Sequence, residues 1–254
     1  MLLVERGFAE NRSRAQGLIL SGSVKVGERV VTKAGSHFTA DEPLTVEGST
    51  PYVSRAGEKL AGALRDFGID VAGRLCLDAG ASTGGFTDVL LQEGADAVIS
   101  ADVGYGQLDW KLRNDPRVTV LERTNVRNLS GEDLPFEPEF LVADLSFISL
   151  SVALGKLLRT TPSTSEAVVL VKPQFEAGPE QVGRGGLVRD PKVHEGVIHS
   201  VSESLQDLGF GTVGVTKSSV TGRRSGNQEY PLHLLRGALP KIHEDMVLAV
   251  VSGG

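Results

Sequence analysis

Residues 74–91 restrict the possible folds more than any other stretch of the chain. The apolar residues 75–77 lead into Asp78, a turn with Gly80, Gly84 and Gly85 follows, and residues 86–91 are suited to a helix. A strand, a glycine-bearing turn and a helix in this order are typical of a nucleotide-binding α/β unit. The dinucleotide fingerprint requires a glycine where Ser82 stands. The turn therefore favours a nucleoside ligand without a pyrophosphate, with NAD as the alternative.

The rest of the chain continues this alternation. Helical spacing predicts helices over 54–68, 85–93 and 190–208 and within 239–251. Short apolar runs predict strands at 74–79, 97–103, 118–122, 140–145, 167–172 and 210–216. Strands that alternate with helices predict an α/β, Rossmann-like, largely parallel and doubly wound sheet. Ligands of such sheets bind beyond the carboxyl ends of the strands.

Polar side chains follow five of these predicted strands at their carboxyl ends: Asp78, Asp102, Asn125, Asp144 and Lys172. Asp102 lies 22 positions after Gly80, where an acidic side chain accepts a hydrogen bond from a ribose hydroxyl. A single aspartate at a strand end is commonly a turn former or a helix cap. Because several occur at successive ends, we interpret the set as a binding site.

Composition excludes several classes of protein. The 254 residues include one cysteine, Cys76, which rules out an internal disulfide and a cysteine-rich zinc site and is expected to be a buried structural thiol. The five histidines show no ligand spacing, no apolar run approaches the roughly 20 residues of a membrane span, and no signal peptide opens the chain. We expect a cytoplasmic, metal-free protein, with a monomer favoured.

Residues 1–33 differ from the rest in charge, with six basic side chains against three acidic ones in a chain of net charge −6. Ser13 and Gln16 fit a capping box that opens a helix, and the valines at 24–31 predict a small strand pair. Residues 1–48 resemble the small RNA-binding module first seen in a ribosomal small-subunit protein (S-four-like). Such modules usually begin with a few more residues, so we expect the first helix to be clipped. Residues 49–54 are expected to link this module to a main domain over 55–254.

The main domain resembles a known enzyme family. The segments "SRAGEKL", "LDAGASTGGFTDVLL", "ADVGYGQL", "RNDPRVTVLERTNVR", "ADLSFISL", "LVKPQFE" and "SGNQEY" are similar to those of the TlyA (hemolysin A) family. That family resembles the FtsJ-type ribose 2′-O-methyltransferases, which have a class I S-adenosylmethionine-dependent methyltransferase fold. The resemblance implies S-adenosylmethionine as cofactor, cytidines in ribosomal RNA of one or both subunits as targets, and a catalytic tetrad of Lys59, Asp144, Lys172 and Glu229.

The chemistry of these residues suits the reaction. A ribose 2′-hydroxyl is a poor nucleophile near neutral pH and needs a base or a strong positioning field. We expect Lys172, desolvated by bound RNA beside a second lysine, to activate or position the hydroxyl, and Lys59 and Glu229 to orient it. Asp144 would neutralise surplus positive charge, and acidic residues would attract the sulfonium of the cofactor.

Further contacts are predicted for both ligands. The predicted cofactor-binding residues are Asp78, Gly80, Ser82, Thr83, Gly84, Gly85, Phe86, Asp102, Val103, Asn125, Val126, Asp144 and Leu145. The predicted RNA-binding residues are Arg6, Arg12, Arg14, Lys25, Arg55, Phe147, Arg184 and Arg189. Two alternatives stay open: Phe147 either packs in the core or stacks on a flipped base or the cofactor, and residues 176–191 form either a lid that orders on RNA or an idle surface loop.

Three other functions are weighed against this one. A membrane-lytic protein needs amphipathic strands or spanning helices, which the sequence lacks beyond an ordinary core. A non-catalytic ribosome-binding or assembly factor would not need both lysines. A pseudouridine synthase often carries the same front module, but the glycine turn argues against it.

Overall fold

The computed structural model describes residues 2–6, 8–9, 12–39, 42–46, 50–221 and 226–253, without the side chain of Arg14. The chain divides into two compact units, an N-terminal unit of residues 1–51 and a main unit of residues 52–254.

The N-terminal unit combines two helices with a three-stranded antiparallel sheet. The helices are α1 (Leu2–Glu5) and α2 (Arg12–Leu20), and the strands are β1 (Val24–Val26), β2 (Arg29–Val31) and β3 (Leu44–Val46), in the order β2-β1-β3. Val24 pairs with Val31 across the turn, which confirms the predicted strand pair. The predicted capping box is wrong, because the helix already includes Arg12 and Ser13 therefore lies inside its first turn.

The main unit alternates strands and helices. Its strands are β4 (Leu75–Ala79), β5 (Ala97–Ala101), β6 (Val118–Leu121), β7 (Phe140–Ala143), β8 (Glu166–Val171), β9 (Phe210–Val215) and β10 (Tyr230–Arg236). Its helices are α3 (Ala56–Phe67), α4 (Gly85–Gln92), α5 (Trp110–Arg113), α6 (Leu150–Thr160), α7 (Pro173–Glu176), α8 (Pro191–Gln206) and α9 (Glu244–Ser252).

These strands form one sheet in the order β6-β5-β4-β7-β8-β10-β9. Strands β4 to β8 run parallel, whereas β10 runs antiparallel to both β8 and β9. Alternate residues along each strand face opposite layers. Cys76 and Phe140 pack beneath α3, α4 and α5, and Leu77 and Leu141 pack beneath α6, α8 and α9. The mainly parallel, doubly wound sheet is confirmed, and so is the buried, unbridged Cys76.

Besides the short β3, α5 and α7, two elements were not predicted from the sequence. Strand β10 contains Pro231 in its second position, and proline within a run argues against a strand in single-sequence reasoning. The strand nevertheless buries Leu232 and Leu234 completely, and it pairs with two neighbours. Helix α6, the other unpredicted element, begins at Leu150 directly after the loop that follows β7.

Candidate active site

The strand order places a crevice between β4 and β7, because the chain proceeds outward from β4 to β6 and then returns to add β7 on the other side. Loops that leave such a point diverge and open a cleft at the carboxyl edge of the sheet. Most of the site residues that the sequence selected in the main unit lie at the end of β4 or in the segments after β4, β5, β6, β7 and β8, whereas Lys59 belongs to α3 and Glu229 directly precedes β10.

The segment after β4, residues 80–85, is called the glycine loop, and its three glycines pack too tightly for side chains. Gly80 has φ +91°, and a Cβ there would lie 2.7 Å from the carbonyl oxygen of Asp144 and 2.9 Å from Leu145. A Cβ on Gly85, at the start of α4, would collide with Ser54 and with the backbone of Gly57. The missing side chains therefore allow this loop to pack directly against the loop after β7 and against the start of α3.

Asp102 binds the backbone of two loops. Its Oδ2 accepts a hydrogen bond from the backbone nitrogen of Ser82 at 2.9 Å, and its Oδ1 accepts one from that of Gly104 at 2.6 Å. Ser82 adopts φ +50° in this arrangement, a conformation that favours glycine. The adjacent cavity, lined in part by Gln107, measures about 10 Å³, enough for about one water molecule. A nucleoside could enter only if the Gly104–Gln107 segment moved.

Asp78 lies beneath the glycine loop and is completely buried. Its Oδ2 accepts hydrogen bonds from the backbone nitrogen of Thr87 at 2.9 Å and from the hydroxyl of Thr87 at 2.7 Å. Its Oδ1 has no hydrogen-bond partner among the described residues. Burial, opposed by the Thr87 hydrogen bonds and reinforced by the charges of Asp144 and Asp102, raises the pKa of Asp78 to about 7.

The four residues of the predicted tetrad come together at the carboxyl edge. Lys59 Nζ lies 2.5 Å from Glu229 Oε2 and 4.0 Å from Asp144 Oδ2, and Lys172 Nζ lies 2.5 Å from Asp144 Oδ1. Asp144 thus stands between the two lysines. The contact between Lys172 and Asp144 is an ion pair without the alignment of a hydrogen bond, and Lys172 donates instead to the hydroxyl of Ser146 at 3.0 Å. Ser146 was not predicted as a site residue, although it lies within the segment "ADLSFISL".

Phe147 projects from the same loop. Its side chain is 86% exposed and its φ is +64°, so core packing is wrong for this residue. Its ring tilts against that of Phe175, with centroids 4.8 Å apart, next to Lys172. The non-glycine residues with positive φ in the described part of the chain, Ser82, Arg123 and Phe147, all follow parallel strands at this edge. Such backbone strain tends to occur at functional sites.

The remaining predicted cofactor residues differ in accessibility. The side chains of Phe86 and Val126 are buried in the core, so only their backbone can reach a ligand. Asn125 caps a short 3₁₀ turn by accepting a hydrogen bond from the backbone nitrogen of Arg127 at 3.0 Å. Thr83 and Val103 are exposed, and Leu145 is half-buried beside Gly80.

Predicted RNA contacts occur in both units. In the N-terminal unit, Arg6 Nη1 donates to the carbonyl oxygen of Glu42 at 2.9 Å, Arg12 is exposed, and Lys25 is half-buried. The side chain of Arg14 lies outside the described residues. Among the RNA contacts predicted in the main unit, Arg55, Arg184 and Arg189 are exposed, as is Phe147.

Two kinds of feature are absent from the described residues. No helix in the described ranges is long and apolar enough to cross a membrane. The same part of the chain holds no group of three or more histidine, cysteine, aspartate or glutamate residues arranged to bind a metal ion.

Comparison with known proteins identifies relatives for both units. Residues 52–236 match the FtsJ-like methyltransferase family, and residues 1–42 match the S4 domain. The 16S/23S rRNA (cytidine-2′-O)-methyltransferase TlyA of Mycobacterium tuberculosis is 48% identical, and the match covers 99% of this chain and 96% of that protein.

Solved structures agree with this assignment. A Streptococcus thermophilus protein described as a hemolysin has a TM-score of 0.79 and 38% identity, over 99% of this chain and 93% of that one. A Listeria monocytogenes protein described as an S-adenosylmethionine-dependent methyltransferase has a TM-score of 0.52 over 72% of this chain and 99% of that one. At 16% identity, that likeness indicates a shared fold alone.

Proposed function

The chain belongs to the FtsJ-like methyltransferase family, and we propose that it transfers a methyl group from S-adenosylmethionine to the ribose 2′-oxygen of cytidine in ribosomal RNA. The observation that carries the proposal is the convergence of Lys59, Asp144, Lys172 and Glu229 beside the glycine loop. The TlyA relative, named for methylation of cytidine in 16S and 23S rRNA, supports the choice of substrate.

The residues at the crevice fit S-adenosylmethionine. When bound, this cofactor supplies a methyl group activated by a positively charged sulfonium. Asp102 and Asp144 give this edge of the sheet negative charge, and the buried Asp78, whose pKa is raised to about 7, has an Oδ1 without a partner among the described residues. Gly80 allows the loop that carries Asp144 to pack directly against the glycine loop. The Gly104–Gln107 segment must move to admit the adenosine, as surface loops commonly do on ligand binding.

The two lysines have different tasks in this proposal. Lys59 is held by Glu229 at 2.5 Å, so the pair forms a rigid side of the site that orients the ribose. Lys172 is held between Asp144 and Ser146, with its ammonium facing the crevice. The Asp144 carboxylate stabilises that ammonium, which favours a role in which Lys172 positions the 2′-oxygen by donating to it. If bound RNA displaced Asp144, the Lys172 ammonium would be able to lose a proton to solvent, and the neutral amine would then accept the hydroxyl proton instead.

Methyl transfer with variants of Lys172 tests the proposal. We expect the parental protein to label ribosomal subunits from cells that lack it in single-turnover assays with methyl-labelled S-adenosylmethionine. Lys172→Ala should lose transfer by at least about 10²-fold, because positioning and proton transfer act mainly in the transition state, and should bind cofactor and RNA normally. Lys241→Ala, an exposed lysine after β10, serves as the control and should match the parent.

The same assay distinguishes the alternatives. Activity in Lys172→Arg with none in Lys172→Ala would assign a positioning role, since a guanidinium stays protonated and cannot accept a proton. Near-parental transfer by Lys172→Ala would contradict the mechanism. A parental protein that binds subunits but neither binds S-adenosylmethionine in calorimetry nor transfers methyl groups would instead be a non-catalytic ribosome-binding factor.

A further inference from the structure

The loop from Gly183 to Arg189 has a defined shape. The backbone nitrogen of Gly183 donates to the carbonyl oxygen of Leu187 at 2.9 Å, and that of Gly186 donates to the carbonyl oxygen of Gly183 at 3.1 Å. Gly185 and Gly186 both have φ +76°, which allows the chain to turn back on itself within these few residues. We call residues 183–189 the arginine loop, because Arg184 and Arg189 are its charged residues and both are exposed.

A buried amide attaches the arginine loop to the segment that precedes β10. Asn227, only 1% exposed, accepts a hydrogen bond from the backbone nitrogen of Val188 at 2.9 Å and donates one to the carbonyl oxygen of Gly186 at 2.7 Å. An amide that both donates to and accepts from one loop fixes its distance and its orientation. Buried backbone groups left without such partners destabilise the folded chain.

A second connection runs through His194. Its Nε2 lies 3.0 Å from the carbonyl oxygen of Val188, which can only accept, so Nε2 carries the proton. Its Nδ1 therefore accepts from the hydroxyl of Tyr230 at 2.9 Å in the neutral ring. His194 and Tyr230 are both buried, and their rings meet edge to face.

Both connections end at the segment that carries the catalytic glutamate. Asn227 and Tyr230 flank Glu229, which holds Lys59. Tyr230 also pairs with Val171 across the sheet, directly before Lys172. Residues 227–230 thus contact the arginine loop directly through Asn227 and indirectly through Tyr230 and His194, and they contact Lys59 through Glu229.

We infer that Asn227 and His194 are positioning residues that hold the arginine loop as a preformed, phosphate-binding wall of the RNA site, in fixed relation to Glu229. The inference rests on the proposed function, since RNA is its ligand. Among the described residues, neither Arg184 nor Arg189 takes part in an ion pair, so both guanidiniums are available to RNA phosphates, which arginine binds in bidentate fashion. These hydrogen bonds give the arginine loop a defined shape of its own, in contrast to a lid that orders only on binding.

Asn227→Ala tests the positioning role through RNA affinity. Binding to ribosomal subunits from cells that lack the protein should weaken about fivefold, because the loop must then be ordered on binding. S-adenosylmethionine affinity in calorimetry should not change. The amide hydrogen of Val188 should exchange faster with solvent in the free variant than in the parent. Tyr230→Phe, which keeps the ring and removes only the donor to His194, should shift RNA affinity in the same direction by a smaller factor.

A matched control and a double-mutant cycle separate positioning from general destabilisation. Ser202→Ala also removes a buried hydrogen bond, from Ser202 to Thr212 at 2.8 Å, and should leave RNA affinity unchanged. Arg184→Ala combined with Arg189→Ala should lower the salt dependence of RNA binding by about 1.4, or about 0.7 for each phosphate contact on a single strand. In the variant that lacks Arg184 and Arg189, adding Asn227→Ala should cause no further loss of RNA affinity, because Asn227 acts on RNA binding through these two arginines.

Three results would overturn the inference. They are parental RNA affinity in Asn227→Ala, an undiminished fivefold loss of RNA affinity when Asn227→Ala is added to the variant that lacks Arg184 and Arg189, or an equal loss of RNA affinity in Ser202→Ala. If the parent methylates RNA while any of these holds, only the positioning role fails. A parental protein that neither binds nor methylates ribosomal subunits would contradict the proposed function as well.

Discussion

Asp78 shows how one buried carboxyl group can couple this site to pH. It is fully buried, one of its oxygens has no partner among the described residues, and its pKa is raised to about 7, mainly by burial. In the unfolded chain, Asp78 has a pKa of about 3.9 and loses its proton near pH 4. Between pH 4 and 7, therefore, the folded protein holds a proton at Asp78 that the unfolded chain does not. Stability contributed by this proton is complete below about pH 4 and is lost as the pH rises through about 7.

We predict that Asp78→Asn becomes more stable relative to the parent as the pH rises. The amide does not titrate, so the difference in the free energy of unfolding should increase by about 1 kcal/mol per pH unit between pH 5 and 7 and then level off. Urea unfolding followed by circular dichroism at pH 5, 6, 7 and 8 measures this difference. Asp207→Asn, an exposed aspartate at the end of α8, should show no such trend, and a pH-independent difference for Asp78→Asn would refute the linkage.

Among the secondary-structure elements, strand β10 connects the site to the opposite edge of the sheet. Its first residue follows Glu229, and its His233 Nε2 lies 2.6 Å from Glu166 Oε1 at the start of β8. Arg74, just before β4, donates to the other oxygen of Glu166 at 2.6 Å. This cluster joins three elements at the amino edge. The hydrogen bond from His233, followed by that from Arg74 and opposed by desolvation, lowers the pKa of Glu166.

Glu166→Gln should destabilise the main unit by about 2 kcal/mol at pH 7, because charge-assisted hydrogen bonds to the carboxylate are weakened. A lowered pKa means that this stability is complete above the unfolded glutamate pKa, about 4.3, and is lost as the pH falls through the lower folded value. The deficit of the variant should therefore shrink below pH 4. Urea titrations at pH 7, 5 and 3.5 test this against the exposed control Glu203→Gln, and a constant deficit would be inconsistent with an ionised Glu166.

At the scale of the whole molecule, the proposed function assigns RNA binding to both units. The N-terminal unit binds RNA alone, whereas the main unit binds RNA through the arginine loop and also carries out methyl transfer. The N-terminal unit contains a groove of about 480 Å³ with an apolar floor, and its rim includes Arg12, Lys33 and His37. The main unit holds the acidic crevice. Because the whole chain has a net charge of −6, it needs local basic surfaces such as this rim to bind the negatively charged RNA.

Arg12→Ala combined with Lys33→Ala should weaken binding to ribosomal subunits and lower its salt dependence by about 0.7–0.9 for each phosphate that the variant no longer neutralises. S-adenosylmethionine affinity should stay unchanged, because the acidic crevice lies in the other unit. The pair Arg159→Ala and Lys241→Ala removes the same charge from exposed positions of the main unit and is the control. Equal salt slopes for the two double variants would mean that the N-terminal unit does not bind the RNA phosphates.

Local pattern was sufficient to predict the frame of this protein. The alternation of short apolar runs with helical spacing identified six of the seven strands of the main sheet, because a strand buried on both faces must be continuously apolar. The glycine turn predicted a strand, a turn and a helix in this order, which β4, the glycine loop and α4 form. Since the carboxyl ends of parallel strands share one edge, the sequence also predicted that Asp78, Asp102, Asp144 and Lys172 lie at the same edge of the sheet.

Contacts between distant residues needed the folded chain. Lys59 and Glu229 are 170 positions apart, and no periodicity places them 2.5 Å from each other; the family resemblance named them, and the antiparallel insertion of β10 brings them together. Only the folded structure shows that Asp102 accepts hydrogen bonds from two backbone nitrogens. It also shows that Asp78 is buried with an oxygen that has no partner among the described residues, and that Asn227 binds the arginine loop. Hydrogen bonds and burial depend on which groups meet in three dimensions, whereas periodicity reports only which side of its own element a residue occupies.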